Sequence, residues 1–139
     1  MQNNNFVNVD VYSKFHNSSM KFQAFVDTEK NETVITHNSL KAYMLEFMKN
    51  CASKGTPVTV QYTPIETSLT HSIVSCTVSL SGYSITETGE ANVATLNTTV
   101  AKSYPYLTAE IRAFDRAVIS FLQLNTDGKR PYSDQEMLY

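Results

Sequence analysis

Two arginines, Arg112 and Arg116, stand four residues apart in "AEIRAFDRA", interleaved with Ala109, Ala113 and Ala117. At helical spacing both guanidinium groups project from one side of a helix, and the alanines form a second, small-residue stripe. A planar guanidinium fork grips phosphate or carboxylate through paired hydrogen bonds, so the two arginines suit a phosphate backbone or an acidic neighbouring subunit. Asp115, three residues after Arg112, is placed to pair with it; Glu110, two before, is not. The apolar positions Leu107, Ile111, Phe114, Val118 and Phe121 mark the opposite stripe as the core face. The arginines are therefore expected at the surface, where replacement by alanine changes stability by no more than about 0.5 kcal/mol. The same pattern also fits a solvated charged flank on a core helix.

Further cations and aromatics surround this helix. Lys102, Tyr104 and Tyr106 precede it, and stacking on aromatic rings with cations along the backbone is how single-stranded nucleic acid is held. Lys14 and Lys21 flank the turn of a first hairpin and are expected to project together, while Lys129 and Arg130 lie in "DGKRPY" beyond the helix. With Arg112 and Arg116, these residues form the candidate DNA-contacting set.

Catalytic chemistry has less support. His16, His37 and His71 fall in turns or connectors, with no Cys, Asp or Glu at ligand spacing. No P-loop, GxGxxG or GxSxG occurs. Glu110 and Asp115 are five residues apart and do not share a helix face, which is poor geometry for an acid–base pair. The expectation is a protein that is not an enzyme and takes no metal or cofactor.

Length and composition bound the rest. The chain has 139 residues, 42% hydrophobic and 17% charged, the balance of one folded domain. Its formal net charge of −2 supplies no global attraction to nucleic acid, so any such contact must be local. Cys51 and Cys76 lie far apart with no CxxC, and are expected to be free thiols. The start, "MQNNNFVNVD", has neither a basic nor an apolar signal region, and no run reaches the roughly 18 apolar residues of a membrane span. These features lead to the expectation of a cytoplasmic protein, with no membrane association.

The elements that must position these residues follow from periodicity. "FVNVDVY" and "KFQAFVD" alternate with period two and form a hairpin, and "TVITH" reads as a short third strand. Leu40, Tyr43, Met44, Phe47 and Met48 shift the period to that of an amphipathic helix, capped at Asn38 or Ser39 and stopped at Gly55. "PVTVQYTP" and "SIVSCTVSL" are strands joined by the connector "IETSLTH"; Ser81-Gly82 turns the second into "YSITETGEA". Gly82 and Gly89 can both adopt backbone angles closed to other residues. The last helix begins at Tyr104-Pro105. The order β-β-β-α-β-β-β-α predicts an α+β fold, an antiparallel sheet with helices packed on one face. Residues 1–127 form the domain, and 128–139 a short C-terminal tail.

The stretch from Gly82 to Leu124, with the ending that follows it, resembles the phage single-strand annealing (recombination) proteins of the Rad-fifty-two and Sak-like class. The resemblance rests on Gly89-Glu90-Ala91, Asn97, Pro105, Ala109, Arg112-Ala113, Arg116-Ala117, Gly128, Tyr132-Ser133 and Glu136, and covers roughly the last 70 residues. It implies a β-β-β-α core, assembly into homo-oligomeric rings or filaments, and single-stranded DNA lying in a groove between sheet and helix. The partners it implies are single-stranded DNA, further copies of the chain, and a host or phage replication protein. The alternative is a small phage protein that reuses the fold to bind or inhibit a host protein.

Overall fold

The computed structural model describes residues 6–94, 96 and 104–137. Of the candidate positions, Lys102 lies outside the described residues, as does Asn97 of the resemblance. Strands β1 (Val7–Ser13), β2 (Ser18–Asp27) and β3 (Glu32–Ile35) run antiparallel in sequence order. Helix α1 (His37–Ser53) follows, then β4 (Val58–Thr67), β5 (His71–Leu80), β6 (Tyr83–Asn92) and helix α2 (Pro105–Leu122). Two short strands, β7 (Leu124–Asn125) and β8 (Tyr132–Ser133), and a 3-10 turn at Asp134–Met137 complete the described chain.

The α+β class holds, but the strands form two sheets instead of one. The five-stranded sheet runs β7-β1-β2-β3-β8 and the three-stranded sheet β4-β5-β6. The first is mixed, because β8 lies parallel to β3, pairing Val34 with Tyr132 and Ile35 with Ser133. The segment from residue 128, read from the sequence as a tail, thus supplies an edge strand. The supposed connector "IETSLTH" is largely strand: β4 continues past a bulge at Pro64/Glu66, and β5 begins at His71.

Local chemistry accounts for the turns. Ser81 and Gly82 have φ of 47° and 86°, the paired positive values of the two-residue turn whose twist matches flanking strands. Helix α1 is capped by Thr36, whose hydroxyl accepts from the Ser39 amide, in place of the expected Asn38 or Ser39. Gly55 at φ 79° ends it in the left-handed conformation that glycine adopts freely.

The core lies between the two sheets and the two helices. Val11, Phe22, Ile35, Leu40, Met44, Cys76, Val78, Val118, Phe121 and Leu122 are all buried in one cluster. Strand β5 alternates as expected, with Ser72, Val74, Cys76 and Val78 inward. The opposite face of that sheet carries hydroxyls, linked across strands by Thr77–Thr86 (2.7 Å) and Ser79–Ser84 (2.9 Å). Cys51 and Cys76 are free, and burial pushes the Cys76 thiol up to about 12.

Helix α2 crosses the inner face of the three-stranded sheet at very short range. A Cβ placed on Gly89 would stand 2.2 Å from the Ala109 carbonyl oxygen and 2.3 Å from the Ala113 nitrogen. Ala109, Ala113 and Ala117 are completely buried there. Gly89 therefore serves close approach and, unlike Gly82, has no positive φ. Gly89→Ala meets rigid main chain that no rotamer change relieves. It should cost at the upper end of the roughly 1–3 kcal/mol of an overpacked core, whereas Ser75→Ala on the hydroxyl face should stay within about 0.5 kcal/mol. Urea denaturation of the two variants measures the difference.

Candidate functional site

The close contact at Gly89 lays the β6 main chain alongside α2, and the two arginines reach across. Arg112 is only 8% exposed. Its Nε donates to the Gln135 carbonyl (2.9 Å) and its Nη1 to the Glu90 carbonyl (2.8 Å). Burial lowers its pKa, with Arg116 adding to the effect and Glu136 opposing it. Arg116 is partly exposed; its Nε donates to Glu136 Oε1 (3.0 Å) and its Nη1 to the Thr88 carbonyl (2.9 Å). Glu136 also accepts from the Ser133 amide (2.8 Å) and lies 3.5 Å from Arg130 Nη2. The pair clasps the outer edge of β6 and the C-terminal segment to the helix.

This corrects the surface expectation for Arg112 and Arg116. The helix is turned so that the alanine stripe faces the sheet, which carries the arginines inward under the C-terminal segment. Leu107, assigned to the core stripe, is instead 49% exposed. Asp115 pairs with His37, not with Arg112.

Of the other candidates, Arg130 shares the Glu136 carboxylate with Arg116, and the rest do not gather with the pair. Tyr104 and Tyr106 are exposed at the start of α2. Lys14 lies beyond the far end of the helix, where its amide donates to the Gln123 carbonyl (3.2 Å). An 18-residue helix is about 27 Å long, so tyrosines and Lys14 are separated by that span. Lys21 does not project with Lys14; it pairs with Asp10 across the hairpin (2.7 Å). Arg130 packs over the Tyr132 ring (5.6 Å) and donates to the Pro131 carbonyl (3.0 Å), and the Lys129 main chain pairs with Thr126 in the turn after β7.

All three histidines, which sequence spacing left without a Cys, Asp or Glu neighbour, have side-chain partners. His37 opens α1, and its Nδ1 lies 2.6 Å from Asp115 Oδ1 on α2. Its amide donates to Asp134 Oδ1 (2.9 Å), so α1, α2 and the C-terminal turn meet at this residue. Asp115 is fully buried; burial pushes its carboxyl above the usual range, and the His37 hydrogen bond pulls it back. His16 contacts the Tyr43 hydroxyl, and burial lowers its pKa.

Beside His37 lies a cavity of about 190 Å³. His37, Lys41, Tyr62 and Glu110 supply its polar lining, and Leu107, Ile111 and Phe114 its apolar wall. Lys41 follows His37 by four residues and shares its helix face. Burial pushes the Tyr62 phenol upward, with nearby Cys76, Glu110, Asp115 and Tyr106 adding, so the hydroxyl stays protonated. Sequence spacing could not reveal this arrangement, because His37 and Asp115 are 78 residues apart.

His71 bridges all three strands of the smaller sheet. Its Nε2 lies 2.6 Å from Glu90 Oε2 and its Nδ1 3.1 Å from Glu66 Oε2. Two carboxylates on the two ring nitrogens require both to be donors, which is the imidazolium form. The hydrogen bond to Glu90, then that to Glu66, raise the pKa above 6.5.

Two outcomes follow. Arg112→Ala leaves the Glu90 and Gln135 carbonyls without this donor and should cost about 3 kcal/mol, with Arg112→Lys unable to restore two directed bonds. Arg116→Ala, on a half-exposed ion pair, should cost about 1 kcal/mol; chemical denaturation reads both. The His71 contribution is fully present below pH 6.5 and is lost as pH rises through the higher folded value. His16, with its lowered value, acts in the opposite sense. Melting temperatures across pH 5 to 9 should therefore show a loss toward alkaline pH in the parent relative to His71→Gln. Coincident profiles would rule out the clamp.

Among the described residues, no helix is long and apolar enough to cross a membrane, and no group of three or more His, Cys, Asp or Glu is placed to hold a metal ion. Comparison of the chain with protein-family models, with curated proteins and with solved structures finds no match.

Proposed function

We propose that the protein binds and anneals single-stranded DNA as a homo-oligomer. The observation that carries this reading is the mutual contact of the residues on which the resemblance rests. Gly89 packs on Ala109 and Ala113; Arg112 holds the Glu90 carbonyl; Arg116 holds Glu136; and Ser133 bonds the same glutamate. A motif dispersed from the hairpin to the C-terminal segment that closes on itself in space is a framework, not a chance string of residues. The arginines belong to that framework. DNA contact then falls to exposed groups, with Tyr104 and Tyr106 offering faces for base stacking at the start of α2.

Annealing needs no reactive residue. A protein that holds one strand extended and leaves the base edges free allows a second strand to pair. Assembly is supported by β4, an edge strand of the smaller sheet with an exposed Ile65, and by Leu69, 92% exposed in the turn beyond it. The β6 edge is not equally open, since Arg112 and Arg116 occupy its Glu90 and Thr88 carbonyls.

Gel-shift and light-scattering measurements with an oligonucleotide test the reading. The protein should shift single-stranded DNA at low salt, with affinity falling steeply as salt rises. Combined Tyr104→Ala and Tyr106→Ala should weaken binding by the roughly 1–3 kcal/mol per base that stacking provides, with the fold intact. A monomer with no shift at low salt would reject DNA binding and leave the protein-interaction alternative.

A further inference from the structure

We propose that the cavity beside His37 is a small-molecule site for a zwitterion, a ligand that carries an anionic group, an ammonium group and one apolar ring. The site stands apart from the DNA reading and does not depend on it. Lys41 and the His37 ring share one face of α1 and form a cationic wall. Glu110, one helix over on α2, faces the same space with the opposite charge, and the Tyr62 hydroxyl completes the polar lining. Leu107 and Phe114 offer the apolar surface on which a ring can lie.

Three features separate this cavity from an ordinary surface dent. Among the described residues, no hydrogen bond or ion pair engages the Lys41 ammonium, the Glu110 carboxylate or the Tyr62 hydroxyl, although all three line one space. Opposite charges that border a common cavity without pairing leave both signs open to a ligand. The His37 ring is fixed in orientation because Nδ1 is held 2.6 Å from the fully buried Asp115. That contact leaves Nε2 as the nitrogen free to meet a ligand. Apolar pockets with a few convergent polar groups are the usual form of small-molecule sites. At about 190 Å³ the space is below the roughly 300–1,000 Å³ of drug-sized ligands, so it takes a single ring system.

An aromatic amino acid carries this chemistry, with carboxylate and ammonium on one carbon and the ring system beside them. The test titrates the full chain with L-phenylalanine, and with 3-phenylpropanoate and 2-phenylethylamine, which keep the ring and one charge each, and follows amide resonances by NMR. L-Phenylalanine should bind about tenfold more tightly than either single-charge compound; equal binding by one of them overturns the requirement for both signs. Lys41→Met and Glu110→Gln should each weaken phenylalanine binding about tenfold, the loss of one charge-assisted hydrogen bond. Neither side chain holds the fold together, so both variants should keep the parent's spectrum and melting temperature. Absence of shifts around Lys41, Tyr62 and Leu107 with all three compounds at millimolar concentration overturns the proposal. So does binding that neither variant weakens.

Discussion

The main-chain contact between Gly89 and helix α2 is the constraint on which the rest of the structure depends. Because no side chain intervenes, the Ala109 carbonyl and the Ala113 nitrogen approach β6 at a distance closed to any residue with a Cβ. That separation decides which atoms an arginine can reach. From a helix held this close, Arg112 and Arg116 extend to the Glu90 and Thr88 carbonyls on the outer edge of β6. An edge strand normally presents those carbonyls to water or to another strand. Here they are consumed by the protein's own guanidinium groups, and the same groups hold Gln135 and Glu136. The parallel pairing of β8 with β3 and the 3-10 turn are thereby fixed against the helix.

Helix α2 buries a guanidinium and a carboxyl group, and the two are accommodated in different ways. Arg112 is surrounded by carbonyl oxygens, so its charge loses water but keeps directed acceptors. Asp115, one turn on, is completely buried with a histidine on one oxygen, while its Oδ2 has no hydrogen-bond partner among the described residues. The carboxyl therefore resists ionisation, as its upward displacement reflects. The contrast follows from geometry. The arginine points toward an exposed strand edge, where acceptors are plentiful. The aspartate points toward the start of α1, where the helix supplies a single ring nitrogen.

Framework and surface are accordingly different sets of residues. Those that tie the hairpin, helix and C-terminal segment together are drawn inward and have little left to offer a partner. The outward groups are the tyrosines at the head of α2, the hydroxyl face of the three-stranded sheet, the open edge of β4 and the cavity beside His37. A motif read for its charges can thus mark the skeleton of a fold, with ligand chemistry placed around it.

Local pattern alone determined much of this protein. The period-two run of β5, the amphipathic period of α1, the Ser81-Gly82 turn and the Pro105 start of α2 could all be read directly, because each depends on residues within a few positions of one another. Even the purpose of the alanine stripe, close packing on a sheet, was legible. Tertiary structure alone decided which way α2 faces. Its hydrophobic positions nearly encircle the C-terminal half, so periodicity left the rotation of the helix undetermined, and the partner of the alanines, Gly89, lies on another element. That rotation turned Arg112 from a surface cation into a buried tie and joined Asp115 to His37. It also gave the segment after residue 128 its place in a sheet. Spacing along a chain specifies which side chains share a face. What that face meets is set by the packing of residues distant in sequence, and for a charged group the nearest acceptor then decides its role.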